Sequence, residues 1–170
     1  MASQTNATSV AQIDVEDLRG KVRFMYEAVA RHPHDGHFHF EMGRGLMERL
    51  GYPEADLDGV PAAALESFAG VGYFFDLASL SSSETVADLG SGSGNDAFIA
   101  ARHVGRAGRV IGIDMTDAQL EKATAPARAH ALTQVEFRDG LIEELPFRDG
   151  EVDCVISNGD RFPASGERDL

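Results

Sequence analysis

The sequence has a single cysteine, few positive charges and no long apolar run. One thiol, Cys154, excludes an internal disulfide and any metal cage built from cysteines alone. Nothing approaches the roughly 18 consecutive apolar residues of a transmembrane helix, and the opening Met1-Ala2-Ser3-Gln4-Thr5-Asn6 carries no apolar signal core. A cytoplasmic protein is the expectation. Basic residues number 15 against 28 acidic ones, giving a formal charge of −13, and no Lys/Arg-rich run occurs. Nucleic acids and anionic membrane surfaces are bound through basic patches, so neither is expected as a partner. What is present is a chain of 170 residues, 43% hydrophobic, which suits one globular domain with a core but not two.

Residues 1–12 are small and polar and read as a disordered tail. From Asp14 a helical pattern runs through Val15, Leu18, Val22, Met25, Tyr26 and Val29. A proline and an Asp-Gly turn break it in Arg31-His32-Pro33-His34-Asp35-Gly36-His37-Phe38-His39-Phe40. Four histidines here invite a metal, but their spacing and the lack of a cysteine or acidic partner do not match a zinc set, so no metal is expected. A polar loop near the substrate side is the reading. Helix resumes over Glu41 to Leu50, with Gly51 at its C-terminal cap. A short helix opens after Val60-Pro61, and Phe74 to Leu80 reads as another. Residues 13–80 thus form a helical region without strand signals.

After Ser81-Ser82-Ser83 strands and helices alternate. Strand one is Thr85 to Leu89, followed by a helix over Asp96 to Val104. Strand two is Arg109 to Asp114. Thr116 and Gln119 have capping-box spacing, so a helix starts there and must bend or end near Pro126. Strand three is Gln134 to Arg138 and strand four Val152 to Ser157, with Cys154 buried in it. Such alternation implies βαβ units, a parallel sheet and right-handed crossovers.

The stretch on which the rest depends is Val86-Ala87-Asp88-Leu89-Gly90-Ser91-Gly92-Ser93-Gly94-Asn95, a strand, a tight turn and a helix start. Glycines fit a turn that needs positive φ angles and close approach of a ligand to the main chain. The dinucleotide fingerprint G-x-G-x-x-G would require glycine at position 95, where Asn95 stands, and no Gly-Lys-Ser/Thr of a phosphate-binding loop follows. Asp88 can instead cap the turn, and Asp114 can cap the helix after it, since Asp favours both settings.

The series Asp88 to Gly94, Gly112-Ile113-Asp114-Met115-Thr116, Glu144-Leu145-Pro146-Phe147 and Ile156-Ser157-Asn158 resembles class I S-adenosylmethionine-dependent methyltransferases. It is closest to the arsenite-methyltransferase-like and ubiquinone/menaquinone-biosynthesis-like groups. The resemblance runs from about Arg23 to Asn158. It implies an α/β, Rossmann-like parallel sheet of order 3-2-1-4 over residues 81–159, with the N-terminal helical layer against it. It also implies S-adenosylmethionine as cofactor and methyl transfer to a small molecule as activity. By the same resemblance Asp88, Gly90 and Gly92, with Ser91 and Gly94 of the same turn, would line the methionine end. Asp114 would hold the ribose hydroxyls, and Met115, Leu141 and Ile142 would flank the adenine. Asn158 would lie near the sulfonium. Many relatives have Asp where Leu141 stands, so the bond to the adenine amino group is lost.

Two departures from the family pattern follow. Arsenite methylation needs thiolates for the soft arsenic, and the family's cysteine positions are occupied here by Val71 and Gly159, which points to a small organic acceptor. No committed general base is apparent, and methyl transfer can proceed largely by positioning. After Asn158 the relatives continue with further strands, whereas residues 160–170 read as an irregular tail, so the later strands of the sheet are expected to be missing. Strand four would then be an open edge, a place for homo-oligomer pairing. The competing expectation is a catalytically incomplete remnant, or a partner protein that needs another chain to complete its sheet.

Overall fold

Asp14 opens the described chain by capping α1 (Val15–Arg31), accepting the N–H groups of Glu16 and Asp17, both at 3.1 Å. This satisfies two donors that a helix start leaves unpaired. The computed structural model describes residues 14–33 and 41–159. The segments read as tails and most of the histidine loop, His34, His37 and His39 included, lie outside those residues.

Four short helices follow: α2 (Arg44–Arg49), α3 (Glu54–Leu57), α4 (Ala62–Leu65) and α5 (Phe75–Ala78). The helix expected from Glu41 begins three residues later, because Gly43 takes a φ of 85° and donates its N–H to Phe68 O at 2.9 Å. The sequence reading missed α3, whose Pro53 occupies the N-cap position. At the end of α2, Gly51 has a φ of 88°, the left-handed step expected of it.

The second half is β1 (Thr85–Leu89), α6 (Asn95–Val104), β2 (Arg109–Asp114), α7 (Asp117–Ala129), β3 (Val135–Asp139) and β4 (Cys154–Ile156). All pairings are parallel, as the alternation of strand and helix implies, and the order is β3-β2-β1-β4, as the family resemblance implies. Asp88 stands opposite Gly112 on one side and Ile156 on the other. Among the described residues β4 pairs only with β1, and Val155 on it is 57% exposed while Ile156 is buried.

Two local expectations are corrected, and a third is sharpened: α7 ends at Ala129, three residues past Pro126. Ala123 and Ala127 are buried on its inner side, and this packing carries the last turn despite the missing donor. No capping box forms: Thr116 makes no side-chain cap bond, its N–H is taken by Asp114 Oδ1 at 2.8 Å, and Gln119 turns elsewhere. Cys154 is half-buried rather than buried, with desolvation and the Glu84 carboxylate raising its thiol pKa.

One cluster of buried residues runs through both halves, joining Met47, Leu57 and Phe68 to Val86, Phe98 and Ile99. The helical layer therefore shares its core with the sheet. No helix among the described residues is long and apolar enough to cross a membrane.

Candidate functional site

The glycine turn is bent back over β2 by its own backbone. Gly90 and Ser91 both donate their N–H groups to Ile113 O, at 2.8 and 2.9 Å. Gly90 and Gly92 take φ angles of 72° and 52°, where a side chain would be strained. Gly92 then donates to Asp114 Oδ2 at 2.8 Å, so the turn and the end of β2 are tied directly. From below, Ser93 Oγ and Asn95 Nδ2 both donate to Ala64 O at 2.9 Å, which anchors the turn on α4.

The carboxyl ends of β1, β2 and β4 open onto a cleft of about 450 Å³, within the range of small-molecule sites. Val15, Leu18, Val22 and Tyr26 of α1 form one wall. Every residue expected at the site lines the cleft except Gly94. That glycine serves packing instead: at φ 88° its Cβ would lie 2.5 Å from the Phe137 ring and 3.1 Å from that of Phe98. Those two rings pack edge-on beneath the turn, with centroids 5.7 Å apart.

Four carboxyls line this cleft, Asp88, Asp96, Asp114 and Glu143, and burial shifts the first three. Burial raises the Asp88 pKa well above the carboxylate range, and the neighbouring charges of Asp96 and Asp114 add to the shift, against one bond from the Ala97 N–H. Asp96 is pushed up to about 6 by burial, opposed by bonds from Asn158 and Tyr52. Asp114 is raised by burial too, opposed by the N–H groups of Gly92, Thr116 and Met115. Asp114 accepts the Thr116 N–H at 2.8 Å, a bond outside the helix it was expected to cap, and it also lines the cleft.

Asn158, which the resemblance puts near the reacting centre, has most of its bonding capacity engaged. Its Oδ1 accepts from Val71 N at 2.8 Å, and its Nδ2 lies 2.8 Å from Asp96 Oδ2, 2.8 Å from the Tyr52 hydroxyl and 3.0 Å from Gly72 O. The side chain thus pins the Gly70-Val71-Gly72 segment to the end of β4. Leu141 and Ile142 also line the cleft, Leu141 in a bridge with Glu144.

Sequence reading missed Tyr52, Asp96 and Gln119. Asp96 had a usable signal, an acid in the first turn after the glycines; Tyr52 had none, because its partners are distant in sequence. Four buried side-chain atoms have no hydrogen-bond partner among the described residues: Asp88 Oδ2, Ser91 Oγ, Asn95 Oδ1 and Gln119 Oε1. All four residues line this cleft. A buried polar atom left unpaired is costly, so the residues that carry these atoms are candidates for ligand contact.

Known proteins agree with this geometry. Residues 80–165 match a family described as methyltransferase domain. The chain is 38% identical over 169 residues to an arsenite methyltransferase of Halobacterium salinarum, covering 92% of this chain and 43% of that protein. A demethylmenaquinone methyltransferase of Lactococcus lactis is 38% identical over 71 residues, 42% of this chain and 28% of its own length. Among solved structures, an arsenic(III) S-adenosylmethionine methyltransferase of Chlamydomonas reinhardtii superposes with a TM-score of 0.56 at 37% identity, covering 64% of this chain and 40% of that one. The chain spans less than half the length of each of these relatives. Glycine turn, strand order and sequence similarity converge: the chain belongs to the S-adenosylmethionine-dependent methyltransferase domain family.

Proposed function

We propose that this chain binds S-adenosylmethionine in the cleft and directs its methyl group to a small organic acceptor. The observation that carries this reading is that all four residues with orphaned buried polar atoms line one cleft with Asp114. A ligand with a ribose diol, an amino group and a carboxylate offers partners to such atoms, so the residues present fit the cofactor.

When bound, S-adenosylmethionine supplies an electrophilic methyl group on a cationic sulfur. Around it this chain's residues bind, orient and exclude water. Asp114 holds the ribose, while Met115, Leu141 and Ile142 flank the adenine. Asp88, Gly90, Ser91 and Gly92 take the methionine end. Asn158, engaged with Val71, Asp96 and Tyr52, shapes the acceptor end by fixing the backbone there.

An organic acceptor is favoured over arsenite despite the names of the relatives. Trivalent arsenic is held by soft thiolates. The one thiol of the sequence, Cys154, does not line the cleft, whereas Val71 and Gly159 stand beside Asn158 and at the cleft wall. Calorimetric titration with S-adenosylhomocysteine tests the cofactor reading. Micromolar binding by the folded protein is expected; absence of heat from a protein with an intact thermal transition would overturn it.

A further inference from the structure

We infer that the buried carboxyl of Asp96, in one cleft with Asp88 and Asp114, is a proton-linked charge sensor: it holds a proton in the free protein and gives it up to a ligand that brings a positive charge. This rests on the S-adenosylmethionine reading given above and adds to it a regulation by pH.

Asp88, Asp96 and Asp114 come from β1, α6 and β2 and all line the cleft. Asp88 is 2% exposed and Asp96 5%. Among the described residues none of the three is paired with a basic side chain. Arg19 of α1, the basic residue at the cleft wall, is engaged with Glu16 at 2.6 Å and with Glu143 at 3.4 Å. The groups that touch Asp96 itself are neutral: the Tyr52 hydroxyl, 2.7 Å from Oδ1, and the Asn158 amide, 2.8 Å from Oδ2. Like charges buried together without a cation cannot all stay ionised, so the cluster keeps protons.

The three carboxyls differ in how well their ionised forms are held. Asp114 accepts the N–H groups of Gly92 and Thr116, and Asp96 accepts two side-chain donors, whereas Asp88 Oδ2 has no partner. Asp88 is therefore the last to ionise. Asp96, raised by burial to about 6, changes charge near neutrality. Each of its oxygens accepts one donor and keeps a lone pair for a ligand. A positive group in the cleft favours the carboxylate over the acid. The amino-acid end of the cofactor carries such a group, an ammonium. On binding, the carboxyl O–H bond of Asp96 breaks, the proton passes to the buffer, and the carboxylate left behind faces the ligand's charge.

Calorimetric titration of the whole chain with S-adenosylhomocysteine at pH 6, in buffers of different ionisation enthalpy, counts the protons exchanged. The comparison ligand is 5′-methylthioadenosine, which shares the adenine and ribose but has no ammonium. The expected result is release of about half a proton per S-adenosylhomocysteine, the share that a group of pKa about 6 holds at that pH. Affinity for S-adenosylhomocysteine should then fall about tenfold from pH 7 to pH 5, and that for 5′-methylthioadenosine should stay level. Asp96→Asn should bind S-adenosylhomocysteine without releasing a proton and with a flat profile. Its amide keeps an acceptor for Asn158, and the Tyr52 hydroxyl has Gly72 O at 3.1 Å as another acceptor, so a thermal transition should show it folded. No release by the unaltered protein, uptake instead, or equal release with both ligands would overturn the proposal, as would undiminished release from folded Asp96→Asn. If the unaltered protein binds neither ligand, the cofactor reading itself fails before any proton is counted.

Discussion

The Tyr52 hydroxyl donates to Asp96 Oδ1 at 2.7 Å, joining the segment after α2 to the first turn of α6 across 44 residues of sequence. Both side chains are buried. Tyr52→Phe would leave a buried carboxyl with one donor fewer and is expected to cost about 1–3 kcal/mol, read as a lower denaturation midpoint in urea. Because the Tyr52 bond lowers the Asp96 pKa, the same variant should move that pKa further up, which carboxyl-carbon NMR titration would detect.

Asp96 also gives a pH dependence with a definite sign. Its folded value, about 6, lies above the ordinary 3.8, so the folded protein binds the proton more tightly than the unfolded chain. The stability this group contributes is therefore full below about pH 4 and is lost as pH rises to about 6. Asp96→Asn should flatten the stability profile across that window relative to the unaltered protein. Denaturation midpoints at half-unit pH steps check it, and parallel profiles would count against it.

Two glycines four positions apart should respond differently to alanine. At Gly90, with φ 72° and no protein atom within 4 Å of the new Cβ, the cost is backbone strain of about 1–2 kcal/mol. At Gly94 the strain is joined by a collision with Phe137, adding about 1–3 kcal/mol. Gly90→Ala should fold and bind S-adenosylhomocysteine poorly, whereas Gly94→Ala should be hard to keep folded. Thermal melts with and without ligand separate the two behaviours.

Asp114→Ala removes the acceptor of the Gly92 and Thr116 N–H groups as well as the expected ribose contact. A charged hydrogen bond contributes about 1.5–3 kcal/mol, so S-adenosylhomocysteine affinity should fall roughly 10- to 100-fold by calorimetry.

Much of this site could be read from the sequence because it is built from short-range chemistry. Strand, glycines and the closing acid of β2 each occupy positions dictated by local backbone need, while the sheet order came from the family resemblance. β1 and β2 have the ends expected of them. What could not be read depends on contacts between distant segments. Asn158 clasps Val71 and Gly72, and Gln119 abandons a helix cap to reach Tyr26 O; nothing near either residue in sequence announces those partners. Around Pro126 the local rule sets the helix end to within three residues, and buried alanines on the inner side carry the last turn to Ala129.

The register of β1 against its two neighbours works as a gauge for the site. Asp88 is level with Gly112 and with Ile156, Asp114 closes β2 two residues further on, and Asn158 follows two residues after Ile156, just past the end of β4. A single-residue insertion in β2 or β4 would leave every functional side chain intact yet move one flank out of line and onto the opposite face. Under the proposed cofactor reading, binding would report a shifted ladder that composition and helix content would not.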